Sequence, residues 1–170
     1  LFDLDIMVNP AEATLMITNK ISDLINGSFF PLDEERQIYR IIKKGCQLDI
    51  TGIRGETLID DMFHRDFSID ALSIAFDVLK DSFNSGRDEV YISDFFGGIE
   101  DLQKRLIRAH NPESFREDPS RILRAFRLMS EIDGKIDEYT LSEIVESKTL
   151  LKTVAKERIR DEFFKILNNS

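Results

Sequence analysis

Glu117-Asp118-Pro119-Ser120-Arg121-Ile122-Leu123-Arg124-Ala125-Phe126-Arg127 is the stretch at which the chain changes character. An acidic pair and a proline stand at what reads as a helix start. Asp118 suits the N-cap, where a carboxylate satisfies free backbone N–H groups, and Pro119 suits the first helical position. Arg121, Arg124 and Arg127 follow at three-residue spacing with apolar residues between them, so they spread over one connected helical face. From residue 112 onward the signal stays helical, predicting helices over 118–132, 137–147 and 154–167.

Upstream the periods are mixed. Residues 3–8 alternate polar and apolar side chains and read as a strand, while 11–25 carry helical apolar spacing and end at Asn26-Gly27. Residues 37–43 and 46–53 read as two strands joined at Lys44-Gly45 in a hairpin. A helix is predicted over 66–79 with a buried face at Phe67, Leu72, Ala75 and Phe76, then a turn over 81–88, a short strand over 89–92 and a helix-like segment over 99–107. The expected fold class is α+β: a mixed sheet with helices over 1–110, followed without a Gly/Ser- or Pro-rich linker by an all-helical part over 111–170.

Composition narrows the setting. At 170 residues, 42% hydrophobic and 32% charged, the chain has the make-up of an ordinary globular domain. It holds no apolar run near the ~20 residues that cross a bilayer. Cys46 is the sole cysteine, which excludes an internal disulfide and a cysteine metal cage and makes a reducing, cytoplasmic location the expectation. His64 and His110 are too few for a histidine-rich metal site, and Asn26-Gly27-Ser28 reads as a turn. The net charge of −9 is the wrong sign for bulk electrostatic binding to nucleic acid. RNA binding would need a local basic face, or metal ions that offset carboxylates.

Several segments carry possible chemistry. Asp3 and Asp5 lie two apart on a strand and share one face. Such a pair fits a hard divalent cation, or else a solvated strand end. Asp49, flanked by Leu48 and Ile50, faces away from both; it completes a metal site if its strand neighbours the first, or simply faces solvent. Arg65 and Asp66 precede an apolar face, and there they cap a helix or grip a sugar or phosphate. Gly97-Gly98 permits positive φ and close backbone approach, for a tight turn or a phosphate. Glu157 and Arg158 lie on a charged amphipathic helix.

The chemistry of Asp118 and Arg121 is sharper. Arginine only donates hydrogen bonds and ionised aspartate only accepts them. Cytosine and adenine each place an amino donor beside a ring-nitrogen acceptor, whereas guanine and uracil place a carbonyl beside an N–H. An Asp–Arg pair accepts C or A and rejects G and U by mismatch.

Taken in order, these segments resemble the class II tRNA nucleotidyltransferase (CCA-adding enzyme) and bacterial poly(A) polymerase family over nearly the whole chain. Asp3-Leu4-Asp5 is similar to the family's Asp-x-Asp pair. Residues 65–72 are similar to Arg-Asp-Phe-Thr-Ile-Asn-Ala-Leu, and 94–102 to Asp-x-x-Gly-Gly-x-x-Asp-Leu. Glu117-Asp118-x-x-Arg121 matches the Glu-Asp-x-x-Arg motif and Glu157-Arg158-Ile159 the last one.

The resemblance implies a nucleotidyltransferase head over 1–110, N-terminally truncated, and a helical neck over 111–170 that recognises the base. It implies template-independent addition of C and/or A to tRNA 3′ ends from CTP and ATP, with two Mg²⁺ ions held at Asp3 and Asp5 and the 3′-hydroxyl attacking the α-phosphate. Arg65 and Asp66 would contact the sugar, with Asp70 beside them. Asp118 and Arg121 would select the base, Arg124 and Arg127 would lie near the triphosphate, and Glu157 and Arg158 would brace the neck. A poly(A) polymerase and a non-catalytic RNA-binding fragment are the alternatives. Three departures stand out: no Gly-Gly-x-x-Arg-Asp segment precedes Asp3, so the chain is expected to be a fragment; Ser68 replaces Thr; and Asp70 replaces Asn.

Overall fold

The computed structural model describes residues 2–86 and 89–168. The chain divides into two compact units, one ending at Asp61 and the other starting at Met62. The first holds β1 (Phe2–Val8), α1 (Thr14–Ile25), β2 (Ser28–Asp33), β3 (Ile38–Lys43) and β4 (Cys46–Gly52). Its sheet has the order β1-β4-β3-β2, with β1 parallel to β4 and the other pairs antiparallel.

Strand alternation sets up the two faces. Val8, Ile41, Leu48 and Ile50 form the core with Ile17, Ile21 and Ile25, which recur every four residues on α1. Asp3, Asp5, Gln47, Asp49 and Arg40 fall on the opposite phase. Gly52 is required where α1 begins, because a Cβ there would sit 2.9 Å from the Ala11 Cβ and 3.0 Å from the Thr14 hydroxyl. The sequence did not show β2. Its Pro31 argues against a central strand, but β2 lies at the sheet edge, where a missing N–H is tolerated.

A short α2 (Leu58–Phe63) spans the division between the units. The second unit continues with β5 (Leu72–Ser73), α3 (Phe76–Ser85), β6 (Ser93–Asp94), α4 (Gly98–Gln103), β7 (Leu106–Ile107), α5 (Ser114–Glu117), α6 (Arg121–Glu131), β8 (Lys135–Ile136), α7 (Glu138–Ser147) and α8 (Lys156–Asn168). Phe67, Ile107, Phe115, Ile122, Ala125, Leu128 and Ile144 make its core. Ile122, Ala125 and Leu128 are the buried stripe of α6. Asp137 caps α7 with its carboxylate on the Tyr139 and Thr140 N–H groups.

Several predicted elements are corrected. No helix runs over 66–79. Phe67 is extended and fully buried, Ser68–Asp70 is a single 3-10 turn, and α3 starts only at Phe76. The Ser68 N–H donates to the Arg108 carbonyl, which holds the backbone out of a helix, and Phe76 is 78% exposed instead of buried. Residues 81–85, read as a turn, lie in α3, and residues 87 and 88 of that turn are outside the described set. The strand read at 89–92 is instead β6, at Ser93–Asp94. The segment 99–107 breaks at Arg105, whose φ of 54° ends α4 before β7. The part expected to be all helical contains β8, paired in parallel with β7. The boundary between the compact units falls at residues 61 and 62, a division by packing that does not bear on the expected head over 1–110 and neck over 111–170.

Candidate nucleotide-binding and metal-binding residues

In the first unit, strand register builds one charged row. Asp5 of β1 lies opposite Asp49 of β4, and Asp49 lies opposite Arg40 of β3. Arg40 forks onto Asp49, with Nε on Oδ1 and Nη2 on Oδ2, both at 2.7 Å. The Asp49 hydrogen bond, and the charges of Asp49, Asp3 and Asp5, raise the guanidinium pKa against the opposing effect of burial. One row along, the Gln47 amide donates to Asp3 Oδ1 at 3.1 Å.

Asp3 and Asp5 are exposed, and they sit on the same face as expected. Asp49 is brought beside Asp5, but both its oxygens serve Arg40. Among the described residues, no three His, Cys, Asp or Glu side chains are grouped to hold a metal. In this geometry Asp49 is paired with Arg40, one hydrogen bond on each oxygen. Arg40 was missed, although the two-residue turn at Lys44-Gly45 fixes a register that faces it to Asp49.

In the second unit the turn before α6 has a defined geometry. Asp118 is extended, and its Oδ1 accepts from the Ser120 N–H at 3.0 Å and the Ser120 hydroxyl at 2.7 Å. Its backbone carbonyl accepts from the Arg121 N–H. Asp118 thus heads the turn before α6, whose N-cap position is Ser120 and not the expected Asp118. Arg158 of α8 reaches Asp118 Oδ2 at 2.8 Å and the Ser120 hydroxyl at 2.7 Å. Burial disfavours the Asp118 carboxylate, but the Ser120 and Arg158 hydrogen bonds outweigh it and hold its pKa below the ordinary range.

Arg121 points inward. Its Nη1 donates to the Ser114 hydroxyl at 2.9 Å, its Nη2 to the His64 carbonyl at 3.0 Å, and Glu117 stands 3.6 Å away.

Arg124 and Arg127 are each met by two acids. Arg124 Nε is 2.5 Å from Asp66 Oδ2 and its Nη2 3.1 Å from Asp70 Oδ2. Arg127 pairs with Glu131 at 2.9 Å and with Glu162 of α8 at 3.0 Å. These arginines are therefore not a solvated basic stripe but part of an ion-pair network in which acids outnumber them. Burial and the like charge of Asp66 push Asp70 up to about 6, against the attraction of Arg124. Arg65 is half-buried beside Asp66. Arg158 ties α8 to the turn before α6, and Glu157 is exposed.

Gly97 and Gly98 form a tight structural turn. Gly97 has φ 75°, and a Cβ on Gly98 would lie 2.2 Å from the Ser68 carbonyl oxygen. Asp94 accepts from the Gly98 N–H at 2.8 Å and the Ile99 N–H at 3.0 Å, which closes the start of α4. Asp101 then accepts from Ser68 at 2.5 Å and from Arg108 at 2.8 Å. Arg108 had no signal in the sequence, since its partners come from two other segments.

Comparison with known proteins accords with this arrangement. Residues 2–108 match the family described as the Poly A polymerase head domain, and residues 135–170 match one described as a probable RNA- and SrmB-binding site of polymerase A. A CC-adding tRNA nucleotidyltransferase from Geobacter sulfurreducens is 40% identical over 98% of this chain and 36% of its own length. A CCA-adding enzyme from Limosilactobacillus reuteri is 42% identical over 65% of this chain and 25% of its own length. The solved structure of a CCA-adding enzyme with ATP superposes with a TM-score of 0.81 at 30% identity, over 100% of this chain and 39% of that one. The chain thus spans between 25% and 39% of the length of these relatives. The chain belongs to the Poly A polymerase head-domain family, that of the class II tRNA nucleotidyltransferases and bacterial poly(A) polymerases.

Proposed function

We propose that the protein carrying this chain is a template-independent nucleotidyltransferase that adds C and/or A to tRNA 3′ ends. The observation that carries this reading is the exposed Asp3–Asp5 pair on the sheet face opposite α1, in a chain 40% identical to a CC-adding enzyme over nearly its full length.

Two carboxylates with substrate phosphates are a donor set suited to Mg²⁺, which is bound by one or two protein carboxylates and keeps other positions for water and phosphate. Asp3 and Asp5 would hold it, with Gln47 fixing one Asp3 oxygen. When bound there, such an ion supplies positive charge for the α-phosphate and makes the RNA 3′-hydroxyl easier to deprotonate.

The residues of the second unit orient the nucleotide. Asp118 offers acceptor capacity, since a carboxylate has about four lone-pair sites and the Ser120 and Arg158 contacts use three. That leaves room for the amino group of C or A. Arg121 is the donor partner, its guanidinium fixed by hydrogen bonds to Ser114 and His64. Arg65 and Asp66 face the sugar, and Arg124 and Arg127 the phosphates. Glu157 and Arg158 brace the helices, and the cytoplasm is the site of action. The head-domain match favours poly(A) polymerase as the second reading.

Full-length protein is given tRNAs ending before the first C, before the second C and before the A, with labelled CTP or ATP and Mg²⁺. Extension of C-accepting ends alone assigns CC addition, and extension of all three assigns CCA addition. A long A tract on any RNA end assigns poly(A) synthesis. No incorporation on any end overturns the enzymatic reading.

A further inference from the structure

Asp70 lies beside Arg124 at a position where the resembled motif carries an amide. Two carboxylates share one guanidinium. Asp66 makes the closer contact, 2.5 Å to Nε, and its side chain is only 10% exposed. Asp70 makes the looser one, 3.1 Å to Nη2, and its side chain is 30% exposed. The groups facing Asp70 are Asp66 from its own segment and Arg124 and Arg127 from α6; Glu162 of α8 adds its charge beside the two arginines. With every acid ionised, Asp66 and Asp70 together exceed the charge of Arg124 by one.

Resting on the reading that Arg124 faces nucleotide phosphates, we propose that Asp70 is a positioning residue, an internal anion that occupies Arg124 Nη2 and competes with the incoming nucleotide for it. The nucleotide gains a donor only when Asp70 is displaced or neutralised. Asp66 keeps the guanidinium in place throughout, because its tighter bond is on Nε. Asp70 ionises near 6, so the competition is present at pH 8 and absent at pH 5. An Asn at this position keeps the shape and removes the charge at every pH.

The test is equilibrium binding of ATP and CTP to the full chain, wild type against Asp70→Asn, at pH 8 and pH 5 in the same Mg²⁺. Comparison at each pH cancels protonation of the nucleotide itself. The expected result is binding about fivefold tighter for the variant at pH 8, the upper end for a partly exposed charge contact, and equal binding at pH 5. Equal or weaker binding by the variant at pH 8, with both proteins binding nucleotide, overturns the inference and leaves the function standing. An advantage of the same size at both pH values also overturns it, since a packing effect would not titrate. Absence of nucleotide binding by both proteins overturns the functional reading, and this inference with it. A melting curve for each protein shows that both are folded.

Discussion

Arg158 Nη2 stands 2.8 Å from Asp118 Oδ2, and through this contact α8 holds the turn that opens α6. With Arg127–Glu162 it makes two ion pairs between α8 and the segment that opens and forms α6. Arg158 is 59% exposed at its side chain, so the pair adds only about 0.2–1 kcal/mol to stability. Its larger effect is on orientation. Arg158→Gln should therefore shift the unfolding midpoint little, yet lower the preference for CTP and ATP over UTP in incorporation assays. Unchanged preference with intact folding would mean that Ser120 alone orients Asp118.

Asp118 also has a pH signature. Its folded pKa is depressed, so its contribution to stability is present above its ordinary value of 3.8 and is lost as pH falls through the lower folded value. Acid unfolding of Asp118→Asn should begin from a less stable protein at pH 7 and converge with wild type once pH falls below the depressed folded value. Urea titrations at several pH values measure this, and a constant difference down to pH 2 would contradict it.

Asp70 runs the other way. Its pKa is raised from 3.8 to about 6, so its contribution is fully present below 3.8 and is lost as pH rises through about 6. Asp70→Asn should stabilise the fold by roughly 2 kcal/mol at pH 8 and have little effect at pH 3.5. Each tenfold change in the protonation equilibrium is worth about 1.4 kcal/mol, and solvent screening at this partly exposed carboxylate removes part of the total. Urea unfolding at both pH values decides it; a destabilised variant at pH 8 would contradict the charge assignment.

Gly98→Ala places a methyl 2.2 Å from the Ser68 carbonyl oxygen, a backbone atom in the turn that also carries Asp70. A loss of about 3 kcal/mol is expected, together with weaker nucleotide binding, since the turn cannot yield without moving Asp66 and Asp70. Calorimetric unfolding and nucleotide titration check the pair of effects. Wild-type stability would show that α4 shifts freely.

Particular residues explain what was legible in the sequence. Period-two alternation exposed Asp3 and Asp5 on one strand face, and helical spacing gave the arginines of α6. Both signals are local, and both hold in the structure. The helix read at 66–79 failed because tertiary bonds of Ser68 to Arg108 and Asp101 outweigh local apolar spacing, and no local pattern reports them. β2 was hidden by Pro31, which only an edge position tolerates. At the candidate site, the acids that neutralise Arg124 and Arg127 come from residues 66, 70 and 162, with Glu131 the one local partner. Single-segment reading saw a basic stripe because most of those partners lie elsewhere in the chain. Asp118 reads as the N-cap of a helix starting at Pro119, whereas α6 starts at Arg121 with Ser120 at its N-cap, and the Asp118 side chain instead holds the turn before it.

The most direct test is incorporation of labelled CTP and ATP onto tRNA 3′ ends by the full-length protein, wild type against Asp3→Asn and Asp5→Asn, at saturating Mg²⁺. Each Asn keeps the strand and removes one hard anionic donor. Wild type should incorporate C or A and not G or U. Each variant should lose activity by at least about 10³-fold with unchanged unfolding midpoint, the scale expected when a metal-held transition-state contact is removed. Incorporation by either variant within about tenfold of wild type would contradict the assignment of Asp3 and Asp5 as the catalytic pair.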